Sequence, residues 1–295
     1  MVWCSGWRLA SAVSDAGGLG IIGSASMDAT LLKEHVEKCL AATKKPFGVN
    51  LPLLYHGNDE KIKVLLDAKV KIVFTSAGSP KTYTNLLKKE GVVVVHVVGS
   101  SVFAKKSEDA GVDAVVAEGF EAGGHNAREE TTTMCLIPAV KKAVKIPVIA
   151  AGGIATGRQM LAALALGADA VQIGTRFVAT PESSAHEKFK RKITGLAEGE
   201  THLVMRKLVP ARLVHNKFYN DITAAENRGA DADELNALLG KGRAKKGMFE
   251  GDLDEGELEI GQVASLIPGI MPAGDVVREI LAEYEAARLE LAAGH

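Results

Sequence analysis

The chain has 295 residues, and its 35 Lys and Arg against 36 Asp and Glu leave a formal net charge of −1, so no global field draws it to nucleic acid or an anionic membrane. Cys4, Cys39 and Cys135 are widely spaced with no Cys-x-x-Cys pair, which argues against a disulfide framework or a thiolate metal site and fits a reducing cytoplasm. No apolar stretch approaches the roughly 18 residues of a membrane span, and the start lacks the basic-then-apolar order of a secretory leader; a soluble cytoplasmic protein without a metal is expected.

Trp7 to Ala16 reads as a helix with no strand before it. Asp15-Ala16-Gly17-Gly18-Leu19-Gly20 resembles a nucleotide loop only superficially, because it precedes its strand, and it reads as a helix stop. Neither a Rossmann G-x-G-x-x-G nor a Walker A loop occurs. Short apolar, β-branched runs then recur at Gly20 to Ile22, Phe47 to Leu51, Lys71 to Phe74, Val92 to Val98, Ala114 to Ala117, Pro147 to Ala151 and Ala170 to Ile173. Continuous runs of this kind predict strands buried on both faces. Between them lie segments of helical period, Leu31 to Ala41, Asp59 to Ala68, Tyr83 to Lys89, Phe103 to Asp109, Leu136 to Ala143 and Gly157 to Leu166. A strand followed by a helix, repeated every ~20 to 30 residues, makes parallel β-α units.

Gly111-Val112-Asp113-Ala114 and Gly167-Ala168-Asp169-Ala170 repeat one pattern, a helix stop that starts the next strand. The expected fold is an α/β (β/α)8 TIM barrel that lacks its first strand in this chain, since the spacing supplies seven; an open doubly wound sheet is the structural alternative. After residue 176 the pattern changes. Ser183 to Lys192 and Ile222 to Gly240 read as helices with no convincing strand between them, the basic Gly240 to Gly247 and acidic Glu250 to Glu257 runs as solvated loop, and Val276 to Leu291 as a closing helix. The expected division is therefore 1–182 plus 251–295 for the barrel and closing helices, and 183–250 for a small helical cap.

Two features carry chemistry. Gly123-Gly124-His125 follows the Ala114 to Ala117 strand, which puts an imidazole past a buried strand's carboxyl end beside two residues without side chains. Gly152-Gly153 and Gly174-Thr175 end consecutive strands and each run into a helix. In a barrel these are the places where phosphate sites are assembled, because glycine lets backbone N–H groups approach the oxygens and a helix start adds a favourable dipole. Each alone is more often a turn; together they predict a phosphorylated ligand.

With these residues in view, the chain resembles the superfamily of flavin-dependent enoyl-acyl-carrier-protein reductase II and nitronate monooxygenase. The resemblance rests on Ala16-Gly17-Gly18-Leu19-Gly20, Pro46-Phe47-Gly48-Val49-Asn50, Glu118 to His125, Ala150-Ala151-Gly152-Gly153-Ile154, Gln172-Ile173-Gly174-Thr175-Arg176-Phe177 and Gly261-Gln262-Val263-Ala264. The form of Ala117 to His125, followed by Thr131-Thr132-Thr133-Met134, is more similar to the reductase; monooxygenases commonly have glutamine in the place of Glu118. The resemblance implies FMN, with its phosphate against Gly152, Gly153, Gly174 and Thr175, and with Asn50, Glu118, Gly123, Gln172 and Ile173 in the cofactor segments. It implies a strand before the first helix, so that the chain as given starts about one strand late. It also admits a monovalent cation.

The implied activity takes electrons from NADH or NADPH to a trans-2-enoyl thioester on acyl carrier protein, in fatty acid synthesis. His125 is the expected proton donor to the enolate, since imidazole titrates near neutrality. Glu121 either orients that imidazole or only makes a turn. His96, His186 and His202 read as structural, and Cys135, with Met134, Leu136 and Ile137 around it, as a buried thiol. An acidic carrier protein would dock on Lys188, Lys190, Arg191 and Lys192, or on Arg243, Lys245 and Lys246, unless these are ordinary solvated groups. The alternative activity is nitronate oxidation with dioxygen; a non-catalytic flavin-binding barrel is a third reading, and a homodimer is the base-rate expectation.

Overall fold

A computed structural model describes residues 1–294. Helix α1 (Trp7–Asp15) leads into β1 (Gly20–Gly23), α2 (Ala29–Ala42), β2 (Phe47–Pro52), α3 (Asn58–Asp67), β3 (Ile72–Ser76), α4 (Thr84–Lys89) and β4 (Val93–Val98). Next come α5 (Ser101–Asp109), β5 (Ala114–Glu118), the two-residue β6 (Gly124–His125), α6 (Thr133–Ala143), β7 (Val148–Ala151), α7 (Gly157–Ala165), β8 (Ala170–Gln172) and α8 (Thr175–Val178). The remainder holds α9 (Glu187–Ile193), β9 (Thr201–Val204), β10 (Ala211–Val214), α10 (Lys217–Asn227), α11 (Ala232–Leu239) and α12 (Ala273–Ala292).

Seven strands pair in parallel in the order β1-β2-β3-β4-β5-β7-β8, as a curled sheet with helices outside it. The fold is α/β and TIM-barrel-like. Side chains alternate along each strand. Val49, Leu51, Val73, Val115, Ala117 and Val148 pack outward under the helices, whereas Phe74, Val95, Ala114, Val116 and Ala151 form a separate cluster on the concave face. Capping side chains stop the helices from running backward: Asp28 accepts from the Leu31 amide, and Thr156 with Gln159 makes a reciprocal box at the start of α7.

The repeated Gly-x-Asp-Ala pattern has one physical use at both sites. Asp113 Oδ2 accepts from the Val94 amide at 2.8 Å and Asp169 Oδ2 from the Val148 amide at 2.8 Å, so each carboxylate ties the start of its strand to the preceding one. Each is also ion-paired to the helix that leads into that preceding strand, Asp113 with Lys88 of α4 and Asp169 with Lys141 of α6.

The segment 183–250 differs from the helical reading. Besides α9, α10 and α11 it contains β9 and β10, which pair antiparallel and join β6 in a three-stranded sheet of order β6-β10-β9. The single helix expected over 222–240 is two, broken at Arg228 to Asp231. Its apolar residues Met205, Leu213, Phe218, Ile222 and Leu235 form their own core. Glu257, expected in solvated loop, is only 5% exposed.

Candidate active site

Parallel strands send all their carboxyl ends to one rim, where three polar residues alternate onto the concave face. Outward Val49 and Leu51 leave Asn50 inward, outward Val115 and Ala117 leave Glu118 inward, and outward Val171 and Ile173 leave Gln172 inward. Glu118 stands opposite Ala151, which in turn stands opposite Gln172. Asn50 is held from below, its Nδ2 donating to Phe74 O at 3.2 Å and to Ser76 Oγ at 3.3 Å. Burial pushes the Glu118 carboxyl up to about 7, against a smaller opposing pull from the Met1 ammonium. Ile173, by contrast, points away with the outer core.

The glycine loops lie at the same rim. Gly152 and Gly153 are both left-handed, with φ +87° and +70°, the region where a side chain costs most and glycine nothing. A Cβ on Gly152 would stand 2.6 Å from Gly119 O, against 3.5 Å from the Glu121 side chain for one on Gly153. Gly174 is the N-cap of α8, and a helix start leaves its first N–H groups without carbonyls to meet. Thr175 Oγ1 accepts from the Gly261 amide at 3.0 Å, tying this loop to the C-terminal segment. Gly123 answers to the same segment, since a Cβ there would stand 2.4 Å from the carbonyl carbon of Ile260.

His125 is not simply the tail of β5. It sits on β6 with its backbone opposite Ala211 of β10, so it belongs to the small antiparallel sheet, above the rim. Its side chain is 52% exposed, and its Nδ1 lies 4.0 Å from Glu259 Oε1. The contact expected from Glu121 is not made. The Glu121 carboxylate instead accepts from the Thr133 amide at 3.0 and 3.1 Å, and Thr133 Oγ1 lies 2.9 Å from Gly152 O. Glu121 therefore caps α6 and braces the glycine loop.

Arg212 fixes the segment between β5 and β6. Only 2% exposed, its guanidinium donates to Phe120 O at 2.9 and 3.0 Å and to Thr201 O at 3.0 Å. Sequence reasoning missed Arg212 and Glu259. A single cation within Ala211-Arg212-Leu213-Val214 was the available sign of a buried strand; Glu259 lies too far along the chain from His125 to give one.

The other expected residues separate cleanly. His96 is buried against Thr75, with 2.7 Å between His96 Nδ1 and Thr75 Oγ1, and burial lowers its pKa to about 4. His186 caps α9 by accepting from the Lys188 amide, and His202 stacks on His215 with ring centroids 4.5 Å apart. Cys135 is exposed, contrary to the buried thiol expected: Leu136, Ile137 and Val140 take the inner face of α6, which turns Cys135 outward. Arg243, Lys245 and Lys246 are paired with Glu255, Glu250 and Asp252, and Lys190 is buried against Glu187. Lys188 and Arg191 stay exposed. A cavity of about 680 Å³ opens beside the rim, lined by Trp3, Asp28, Tyr55, His56 and Lys61 among others. Among the described residues no group of three His, Cys, Asp or Glu could hold a metal ion, and no helix is long and apolar enough to cross a membrane.

A family model described as nitronate monooxygenase matches residues 1–59 and 52–283. The solved structure of FabK from Thermotoga maritima is 42% identical, with a TM-score of 0.94 over 99% of this chain and 93% of that one. That of nitroalkane oxidase from Streptomyces ansochromogenes is 32% identical, with a TM-score of 0.85 over 98% and 95%. The (3aS,4S,5R,7aS)-5-hydroxy-7a-methyl-1-oxo-octahydro-1H-indene-4-carboxyl-CoA dehydrogenase of Rhodococcus jostii (strain RHA1) is 34% identical, over 96% of this chain and 90% of its own.

Proposed function

Because this chain belongs to the nitronate monooxygenase family, whose members are oxidoreductases, we propose that it is an FMN-dependent enoyl-acyl-carrier-protein reductase that takes electrons from NADH or NADPH. One observation carries the reading: His125 stands on a separate sheet above a rim where Asn50, Glu118 and Gln172 point inward beside two glycine loops. The likeness to FabK and to a dehydrogenase of a CoA thioester supports a thioester substrate.

The residues fit the cofactor. Gly152 and Gly153 make a left-handed turn that no side chain obstructs, and with Gly174 and Thr175 they would hold the phosphate. Asn50, Glu118 and Gln172 would meet the ring and ribityl chain; a carboxyl with its pKa near 7 can donate a hydrogen bond as well as accept one. FMN, when bound, supplies hydride transfer between the nicotinamide and the β-carbon of the enoyl group.

The chain's own residues handle the rest. As hydride arrives at the β-carbon, charge develops on the thioester oxygen, and the His125 imidazole donates the proton that leaves a saturated thioester. Its 52% exposed side chain recovers a proton from solvent. The 680 Å³ cavity beside the rim gives the thioester's arm room. The small sheet with α9, α10 and α11 forms a cap over the rim. Lys188 and Arg191 remain for an acidic carrier protein, because Arg243, Lys245 and Lys246 are already paired.

The test is anaerobic: NAD(P)H should bleach the flavin and a crotonyl thioester should restore its colour. His125→Asn should keep flavin reduction while enoyl turnover falls about 10²- to 10⁴-fold, the usual worth of a positioned acid. The second reading, nitronate oxidation, draws on the 32% identical nitroalkane oxidase structure. Oxygen uptake with an alkyl nitronate and no enoyl-dependent NAD(P)H oxidation would establish it in place of the first.

A further inference from the structure

We propose that Glu259 is the positioning residue of the His125 imidazole, its carboxylate facing Nδ1 as an ion-pair partner so that Nε2 is left for the substrate. The register of the small sheet places the two together. His125 lies opposite Ala211 on β10, and Glu259 bridges Leu213 on the same strand. Positions 211 and 213 are two apart, so residues paired to them on one edge present side chains to one face. The backbone is pinned there, since the Val214 amide donates to Leu258 O at 2.9 Å. Gly124 makes the room: a Cβ on it would stand 3.0 Å from Glu259 Oε2 and 3.1 Å from its Cδ. The Glu259 side chain is only 12% exposed, and its Oε1 is the carboxylate oxygen 4.0 Å from His125 Nδ1.

Three other titratable groups face Glu259. Glu257, two residues back, is buried, and burial together with the charge of Glu259 pushes its carboxyl well above the usual carboxylate range. Arg243 faces Glu257 and is paired to Glu255. Tyr55, on the loop between β2 and α3, and Cys4, near the amino terminus, also face Glu259; burial pushes both up, Cys4 to about 12, so neither carries charge at neutral pH.

In the reaction, His125 Nε2–H breaks and the proton passes to the substrate carbanion, leaving a neutral imidazole with its remaining proton on Nδ1 toward Glu259. Solvent returns a proton to Nε2. A carboxylate at Nδ1 thus fixes which nitrogen gives up its proton.

The activity arm of the test rests on the reductase reading, and a tautomer arm does not. In ¹⁵N-histidine-labelled protein, the His125 ring signals are identified by their absence in His125→Asn. The share of neutral His125 that carries its proton on Nδ1 should fall severalfold in Glu259→Gln, with Glu257→Gln moving it far less. Turnover of a crotonyl thioester should fall about tenfold in Glu259→Gln, with KM within twofold. Glu259→Asp should recover part of both. An unchanged tautomer balance in Glu259→Gln and Glu259→Asp overturns the assignment. A changed balance in protein that turns over no enoyl thioester leaves Glu259 assigned and refutes the reductase reading.

Discussion

Two adjacent glycines offer a controlled measurement of what the phosphate loop demands of its backbone. Gly152 and Gly153 share the left-handed region, so alanine at either incurs the same conformational cost of about 1 to 2 kcal/mol. They differ in the space around them. At Gly152 the new Cβ meets Gly119 O at 2.6 Å and Gly119 N at 3.1 Å, and that backbone cannot retreat because the Gly119 amide donates to Ala151 O at 2.9 Å. Overpacking against a fixed partner adds about 1 to 3 kcal/mol. At Gly153 the nearest atoms are in the Glu121 side chain at 3.5 Å, an ordinary contact. Gly152→Ala should therefore cost about 2 to 5 kcal/mol and Gly153→Ala about 1 to 2 kcal/mol. Urea unfolding of flavin-free protein reads the difference as a shift in midpoint at constant slope. Repeating it with saturating FMN should stabilise wild type by mass action and Gly152→Ala much less. Equal midpoints for the two variants, or a lower one for Gly153→Ala, would refute the argument from the Gly119 contact.

Glu118 predicts a pH dependence. Its folded pKa of about 7 lies above the usual carboxylate value of 4.5, so between those values the folded state holds the proton that the unfolded state has released. Stability should fall from about pH 4.5 to 7 and then level off; Glu118→Gln in flavin-free protein should remove that slope, and an unchanged slope counts against the burial argument. Cys135 is exposed while Cys4 and Cys39 are buried, so a thiol reagent such as Ellman's should titrate one thiol quickly in native protein and three in denaturant. Arg212→Met should cost about 2 to 4 kcal/mol in a urea melt, by leaving Phe120 O and Thr201 O without donors. A loss below about 0.5 kcal/mol would mean that water replaces the guanidinium.

The barrel-like part was legible because its strands are buried on both faces. Val148 to Ala151 and Val93 to Val98 are nearly unbroken apolar runs, and the periodicity between them gave each helix to within a few residues. Strands β9 and β10 were not legible: each is four residues long, one carries Arg212 and the other His202, and neither shows a run. Recognising them needed the pairing of Ala211 with His125, 86 residues earlier in the chain. Cys135 misled because apolar neighbours suggest burial, yet Met134 beside it is 66% exposed; period, not neighbourhood, decides which face a helical residue takes. Asn50, Glu118 and Gln172 were named from resemblance, and strand parity independently turns all three to the concave face. Of the two readings of Glu121, orienting the imidazole or making a turn, the first is not met in space: the donor within its carboxylate's reach is the Thr133 amide at the start of α6, and the carboxylate beside the imidazole comes from residue 259.

The division between the two sheets bears on how such a chain can diverge. The loops that would carry the cofactor belong to the parallel sheet, whereas His125 lies on β6, paired to the β9–β10 hairpin, whose Arg212 reaches the connection from β5 to β6 at Phe120 O. Among the described residues the two sheets share no ladder, so either can be remodelled without breaking the other's hydrogen bonds.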